Sequence, residues 1–429
     1  MPGKVSSAED GGQVAAPAAE PLRFSLFEGD RLNRVYRAIG LGRFQRYFIL
    51  KRCLFVLLVT YVPLALLAWC EGLTTINDPR TNFFADFAAY IELLVALPLF
   101  ILCEPIMDRR TREVAQELVT CKIIKPEDQH NLRAINARVE MLRKSIWPEL
   151  ICLFWAYFFS LTILIPEFQA GAKLTWHVRS DMHFWLLGTH PATSYTGTWE
   201  FLIALPILNY TWLRLGWKVL LWCYYLFRVT RMRLNLHPTH PDVTGGIGFI
   251  SEAQGQFALF LLAFGLSNIA APISYEIVVL HYDLTVLPVW GPLLGFAIGG
   301  PIVFTLPLFM FTRQLYNAKY RALAVYRERV TELSSRIETY WEPSRQQRAP
   351  HAPAEELREL AELTTLSTMF RHIETMRVVP LDWRSFGQLM GSSFGTIAAI
   401  LPFLKFDENS GRPFELLEKL FGLFGGHGG

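Results

Sequence analysis

Charged residues are scarce in this chain. Asp, Glu, Lys and Arg make up 18% of its 429 residues, 52% are hydrophobic, and the net charge at pH 7 is only +3. Soluble domains carry about 25% charged residues, and nucleic-acid-binding proteins carry a concentrated basic patch. The composition therefore argues against a soluble protein and against a nucleic-acid partner. It predicts a polytopic membrane protein embedded in a lipid bilayer.

Motifs for metal, disulfide and nucleotide chemistry are also missing. The six cysteines form no C-x-x-C pair and lie in or beside apolar segments, which is typical of small buried side chains and not of a zinc site or a disulfide framework. No Walker loop, G-x-S-x-G elbow, H-E-x-x-H helix or dinucleotide fingerprint occurs. We therefore predict no enzymatic activity, no cofactor and no metal site.

Long apolar runs are what the sequence does contain. A transmembrane helix needs about 20 such residues. Six runs meet this need, and a seventh, Phe386–Phe403, is weakened by Ser392, Ser393 and Pro402. The seventh run therefore either spans or re-enters the membrane. We predict an all-α polytopic membrane protein with six transmembrane helices and this seventh segment. The six predicted spans are Cys53–Cys70, Phe83–Ile106, Trp147–Ile165, Trp199–Phe227, Phe257–Leu280 and Val289–Phe311.

Basic residues orient these spans. Residues 22–52 mix apolar groups with Lys and Arg, which predicts an amphipathic segment on the cytoplasmic leaflet, and the run Asp108-Arg-Arg-Thr-Arg112 returns the second span to the cytoplasm. The predicted organisation is a disordered tail (1–21), the interfacial segment (22–52), a transmembrane domain (53–312) with a cytosolic hairpin (107–146) and an outer loop (166–198), a second cytosolic helical hairpin (313–383), a final membrane segment (384–405) and a tail (406–429).

Six ionisable residues lie within the apolar segments, where each costs about 2.5 to 3.5 kcal/mol to insert. Arg214 and Lys218 are four residues apart, so they share a helix face and require an anion opposite. Counting along the helices places Lys218 and Glu104 at similar depths. The charges therefore either form salt bridges between the second and fourth spans or line a water-filled pathway. The full set is Asp86, Glu92, Glu104, Arg214, Lys218 and Glu276.

The most unusual local sequence is the loop His-Pro-Thr-His-Pro-Asp-Val-Thr-Gly-Gly-Ile-Gly-Phe at residues 237–249. Its two His-Pro steps favour extended backbone, and the glycines that follow allow a tight turn. Three interpretations remain open: a rigid linker, a metal or proton site, or a gate at the cytosolic mouth. The residues concerned are His237, His240, Asp242, Gly245 and Gly246.

Glycines recur every four residues in the last two apolar segments. Such a triplet places all three glycines on one helix face, where another backbone can approach closely. We expect these faces to form a pore wall or the subunit contact of a homo-oligomer. The two triplets are Gly291, Gly295 and Gly299, and Gly387, Gly391 and Gly395.

The predicted outer loop contains three histidines, His177, His183 and His190. They follow no regular spacing, so we expect them to be polar surface residues.

The 237–249 loop, together with Val379-Pro-Leu-Asp-Trp-Arg-Ser385, resembles a group of bacterial polytopic membrane proteins. The resemblance covers a small part of the chain. It implies a location in the bacterial inner membrane, with the N-terminus in the cytoplasm by the charge pattern above, and it implies no activity.

Two functions from different classes fit these features. The first is a channel or passive transporter for ions or a small charged solute. An anion is slightly favoured by Arg214 and Lys218, although Glu92 and Glu104 argue the other way. The second is a membrane-anchored sensor or scaffold whose helices in 313–376 bind a cytosolic protein partner. A lipid-modifying enzyme using the 237–242 residues is a third interpretation, but it has no evident nucleophile.

Overall fold

The structure is a computed structural model, which describes residues 24–27, 30–38, 40, 46–73, 82–169, 176–179, 192–278, 287–344 and 354–400. Within these ranges the regular secondary structure is helical except for one short antiparallel pair, β1 (Val178–Arg179) with β2 (Ala192–Thr193), and loops and turns connect the helices. The predicted all-α fold is therefore confirmed. The tails 1–21 and 406–429, and most of the predicted outer loop, lie outside the described residues.

The helices of the N-terminal half follow the apolar runs closely. The charged stretch after the second run continues the same helix well beyond the apolar residues, as the sequence pattern predicts for the start of a hairpin. The helices are α1 (Arg31–Ala38), α2 (Arg46–Cys70), α3 (Phe87–Ala89), α4 (Leu97–Thr120), α5 (Gln129–Lys144) and α6 (Trp147–Gln169).

The C-terminal half contains the remaining helices. The longest, α13, packs along α14, so residues 313–376 form the predicted antiparallel hairpin, and α15 packs against α10 and α12. The helices are α7 (Tyr195–Trp199), α8 (Leu205–Thr230), α9 (Gly248–Gly255), α10 (Ala258–Gly265), α11 (Ala271–Val278), α12 (Leu287–Phe309), α13 (Thr312–Ser344), α14 (Ala354–Thr375) and α15 (Trp383–Ile400).

Three π-helical segments join neighbouring α-helices without a break. Tyr90–Ala96 connects α3 to α4, Glu200–Ala204 connects α7 to α8, and Leu266–Ala270 connects α10 to α11. The first and the third of these segments pack against each other. A π turn is rare and is often found at functional sites.

Four helical segments are long and apolar enough to cross a membrane: Ile49–Cys70, Phe87–Thr120, Gly248–Tyr275 and Gly291–Phe309. A fifth arises if the bent pair Pro126–Lys144 and Trp147–Thr162, which meet at 43°, is counted as one span. The described ranges thus contain four to five candidate spans, and the six predicted spans are not confirmed.

The two predicted spans that fail this test are both helical. Helix α8 carries Arg214 and Lys218 together with Trp and Tyr residues, which reduce its mean hydropathy. The described part of the last segment is the 18-residue α15, whose Ser and Gln residues have the same effect. Residues 401–405 of that segment lie outside the described residues.

The predicted glycine faces are open in the monomer. A Cβ atom added at Gly291, Gly295 or Gly299 would meet nothing within 4 Å, and the same holds for Gly387 and Gly391. The sixth predicted position, Gly395, approaches the Leu262 side chain, at 3.1 Å from the added Cβ. These faces therefore do not pack the monomer.

Other glycines pack the helices of the C-terminal bundle closely. A Cβ at Gly265 of α10 would collide with Thr396 of α15 and with Phe296 of α12, and one at Gly300 of α12 would lie 2.9 Å from Leu261. The four-residue spacing in the sequence did not indicate these two positions, because the close approach depends on which helices are neighbours.

We therefore expect Gly265→Ala to destabilise the protein by about 1 to 3 kcal/mol, because the added methyl group overpacks the contact between α10, α12 and α15. Gly216→Ala on α8 is the matched control, since its methyl group would enter open space, and should not lower the melting temperature in detergent. Equal melting temperatures for Gly265→Ala and wild type would show that these three helices are not packed as described.

Candidate functional site

Arg214 and Lys218 of α8 lie in the core of the bundle, each about 2% exposed. The Arg214 guanidinium donates to Glu104 of α4 and to Asp30, with its Nη2 3.1 Å from Asp30 Oδ2. The Lys218 Nζ lies 2.8 Å from the same Asp30 oxygen. Arg52 of α2 completes the group, with its Nη1 3.9 Å from Glu104 Oε2. We call these five residues the ion cluster.

Asp30 reaches the cluster because the segment before α1 is inserted into the bundle. Phe24, Leu26 and Phe27 are at most 3% exposed and belong to the hydrophobic core. The carboxylate of Asp108 on α4 fixes this segment, since Asp108 Oδ1 accepts from the Ser25 hydroxyl at 2.7 Å and from the Leu26 amide at 3.0 Å. Residues 24–27 and Asp30 therefore lie inside the bundle. The mixed basic and apolar pattern predicts instead that residues 22–52 lie on the membrane surface.

The electrostatics of the ion cluster favour an ionised Asp30. Burial of Asp30 favours its neutral form, but the charges of Arg214 and Lys218 outweigh this effect and hold its pKa down at about 2. Three cations face two carboxylates within the five-residue cluster, so its formal charge is +1. Glu149 of α6 adjoins the cluster, because it interacts with Asp30 and Lys218 and pairs with Arg31 at 3.3 Å.

The requirement for an anion opposite Arg214 and Lys218 is met, but the partners differ from those that helix counting suggests. Glu104 pairs with Arg214 and not with Lys218. Helix counting assumes that α4 and α8 run parallel and start at the same depth in the membrane. The anion shared by both cations is Asp30. Sequence reasoning missed it, although the run Phe24-Ser-Leu-Phe27, which is apolar and free of basic residues, could have indicated burial.

A second polar cluster lies near the π-helical segments. Asp86 caps α3 by accepting from the Ala88 amide at 2.9 Å and also accepts from the Trp176 indole at 3.1 Å. The His177 Nε2 lies 2.8 Å from Glu200 Oε2, and both side chains are buried. The half-buried Glu92 is close enough to interact electrostatically with these acids and with His177. His177 is therefore not the surface residue expected from its loop position.

Three other predicted positions have side chains that lie outside the described residues. Glu276 belongs to α11, but its side chain lies outside the described residues. His183 and His190 lie outside them altogether. In the part of the chain that the structure describes, no three or more His, Cys, Asp or Glu side chains are arranged to hold a metal ion.

Asp242 organises the 237–249 loop. Its carboxylate accepts from the amides of Gly246 and Gly248, each at 3.0 Å, and from the hydroxyl of Thr244 at 2.7 Å. It also lies 2.9 Å from His240 Nδ1. Burial tends to raise the pKa of Asp242, but the hydrogen bonds from Thr244, Gly248 and Gly246 dominate and lower it to about 2.

The backbone of this loop adopts left-handed conformations that the glycines allow. Gly245 and Gly246 have φ values of 69° and 90°, and Val243 has a φ of 53°, which is unusual for a β-branched residue. Added Cβ atoms would approach Met376 from Gly245 and Ile123 from Gly246. Both predicted glycines are therefore required by backbone conformation and by close packing.

The loop joins three parts of the protein. The His240 carbonyl is 2.9 Å from His372 Nε2 on α14, and the Val243 carbonyl accepts from the Arg377 amide at 2.7 Å. Just before the loop, the Asn235 amide donates to Ile123 between α4 and α5 at 2.8 Å. These contacts favour the rigid-linker interpretation over the metal site.

His237 is exposed, and its ring lies 3.2 Å from the Asn235 side chain.

Comparison of the chain with protein-family models, with curated proteins and with solved structures found no match.

The pairing of Arg214 with Glu104 can be tested by a double-mutant cycle. Glu104→Gln and Arg214→Gln each remove the closest partner of a buried charge and should each destabilise the protein by about 3 to 5 kcal/mol. The double variant should cost at least about 1 kcal/mol less than the sum of the two. Unfolding in detergent measures these values, with Glu113→Gln as a control for a partly exposed ion pair. Additive effects would contradict direct pairing.

Asp242 should stabilise the loop only while it is ionised. Because its pKa falls from an ordinary value of 3.8 to about 2 in the folded protein, its contribution is complete above about pH 4 and is lost as the pH falls from about 4 to about 2. Asp242→Asn should lower the melting temperature at pH 7, and the difference from wild type should shrink below pH 4. A difference that is the same at all pH values would show that ionisation of Asp242 is not involved.

Proposed function

We propose that the protein is a gated channel or passive transporter for a small anion. The observation that supports this best is the origin of the two counter-ions in the ion cluster. Glu104 belongs to α4, one of the apolar helices, whereas Asp30 precedes α1 and belongs to a segment outside the candidate spans. A carboxylate that arrives on such a segment can leave with it, and a diffusible anion can then take its place.

The charge balance of the cluster supports an anion over a cation. Removal of Asp30 would leave the three cations Arg52, Arg214 and Lys218 with Glu104 and the half-buried Glu149 as their remaining acidic neighbours. Such a site attracts anions and repels cations. The described conformation, with Asp30 in contact with both Arg214 and Lys218, is in this proposal the closed state.

The proposal includes a topology and an assembly. Six transmembrane helices and a seventh spanning or re-entrant segment would cross a bacterial inner membrane with the N-terminus in the cytoplasm. This orientation would place the Asp30 segment and both helical hairpins on the cytoplasmic side. The open glycine faces around Gly295 and Gly391 would form contacts between subunits of a homo-oligomer.

Anion flux from liposomes tests the proposal. Purified protein should release chloride or formate, and Asp30→Asn should increase this flux about tenfold or more if loss of the shared counter-ion weakens the closed state by about 1.4 kcal/mol. Arg214→Gln should reduce anion flux or weaken selectivity against potassium. Each variant is first checked for an unchanged elution volume in detergent.

Glu332→Gln is the matched control, because it removes one carboxylate from an exposed ion pair on α13. Its flux should equal that of wild type. Absence of flux from well-folded wild type and Asp30→Asn, with both anions and with potassium, would refute the transport proposal.

The alternative is a membrane-anchored sensor or scaffold. It is favoured by large apolar or aromatic side chains that are exposed on α13, namely Tyr316, Tyr320 and Val325, which are 49%, 51% and 60% exposed. These residues would contact a cytosolic protein partner, and the 237–249 loop would carry a change in the membrane helices to the α13–α14 hairpin. Absence of flux would favour this alternative.

A further inference from the structure

A basic cavity lies where α8 ends beside the hairpin formed by α4 and α5. Its volume is about 850 Å³, and it is walled by residues 125–138 on one side and by residues 224–235 on the other. Ile135, Tyr224 and Met232 contribute apolar surface. The cavity does not include any residue of the ion cluster. Its five cationic side chains are Lys125, Arg138, Arg228, Arg231 and Arg233.

These cations outnumber the nearby carboxylates. Glu127 and Asp128 are the only acidic residues that line the cavity. Within the described ranges, the ion pairs closer than 4.0 Å include none of the five cations. By contrast, Arg329 and Arg336 on α13 both pair with Glu332. The cavity therefore concentrates positive charge that the protein itself does not neutralise.

The walls of the cavity are held together by main-chain hydrogen bonds. Ile124 and Leu234 form an antiparallel bridge, and the Asn235 amide donates to the Ile123 carbonyl at 2.8 Å. The apolar side chains of Ile124 and Ile135 are buried beneath them. The cations thus project from a preorganised surface, which lowers the entropic cost of binding a ligand.

We propose that this cavity is a binding site for a phosphate-bearing anion. Arginine guanidinium groups bind phosphate oxygens in a bidentate manner, and four of the five cations are arginines. The phosphate can come from an anionic phospholipid headgroup, because the cavity opens at the end of α8, or from a soluble polyphosphate compound. The site is independent of the proposed transport function.

Occupancy of the site would tighten the junction between the hairpins. Residues 232–235 separate the cavity from a second one of about 530 Å³, whose lining includes Gln314, Asn317 and Arg321 of α13. The Gln314 side chain donates to the Thr230 carbonyl at 2.6 Å and to the Met232 carbonyl at 3.0 Å. A ligand that fixes Arg231 and Arg233 would therefore also fix the segment that α13 contacts.

Two arms of one binding experiment distinguish the sources of phosphate. In detergent, binding of pyrophosphate to the full-length protein is measured by calorimetry. In nanodiscs, protection from thermal unfolding by phosphatidylglycerol mixed equally with phosphatidylcholine is compared with that by phosphatidylcholine alone. The test variant is Arg138→Gln with Arg231→Gln, and the matched control is Arg329→Gln with Arg336→Gln, which also removes two exposed arginines.

The proposal expects the test variant to weaken pyrophosphate binding about tenfold or more, or to abolish the protection by phosphatidylglycerol, whereas the control retains wild-type behaviour. Pyrophosphate binding without lipid protection indicates a soluble ligand, and the reverse indicates a lipid. Arg138→Lys with Arg231→Lys should recover binding only in part, because lysine lacks the planar bidentate donor. Binding that is absent in both arms, or equal in the test variant and wild type, overturns the proposal.

Discussion

Neutralisation of Arg214 and Lys218 is the constraint on which the arrangement of this protein depends. A cation buried at 2% exposure must find a carboxylate, because an unpaired charge in the core costs several kcal/mol. Glu104 on α4 pairs with Arg214 but not with Lys218, so the carboxylate that neutralises Lys218 must come from elsewhere. Asp30 supplies it, and its position requires Phe24, Leu26 and Phe27 to pack inside the bundle.

The second organising element is the carboxylate of Asp242. It accepts hydrogen bonds from amides that belong to a loop with left-handed backbone, and in doing so it fixes a segment that contacts α14 and Arg377, which follows α14. Both elements rest on the same physics. A carboxylate that accepts several hydrogen bonds or ion pairs positions chain segments that are distant in sequence.

The sequence predicted the helical class and most helix positions, because apolar periodicity is a local property. It also predicted that Arg214 and Lys218 require an anion. It could not predict which anion, since the pairing depends on how α4, α8 and the segment before α1 approach one another. For the same reason it missed the burial of His177 with Glu200, and it indicated Gly295 where Gly265 forms the close contact. The six predicted spans are not confirmed, in part because α8 is less apolar than its length suggests.

The π-helical segments add a freedom that regular helices do not have. A π turn holds one residue more than an α turn, so a shift of that extra residue along the chain would rotate the residues between its old and new positions by about 100°. Tyr90–Ala96 lies between Asp86 and Glu104, and Glu200–Ala204 lies between His177 and Arg214. Each of these segments carries one acid of the second polar cluster, Glu92 or Glu200, so such a shift would change the face on which that acid lies and leave the helix ends in register.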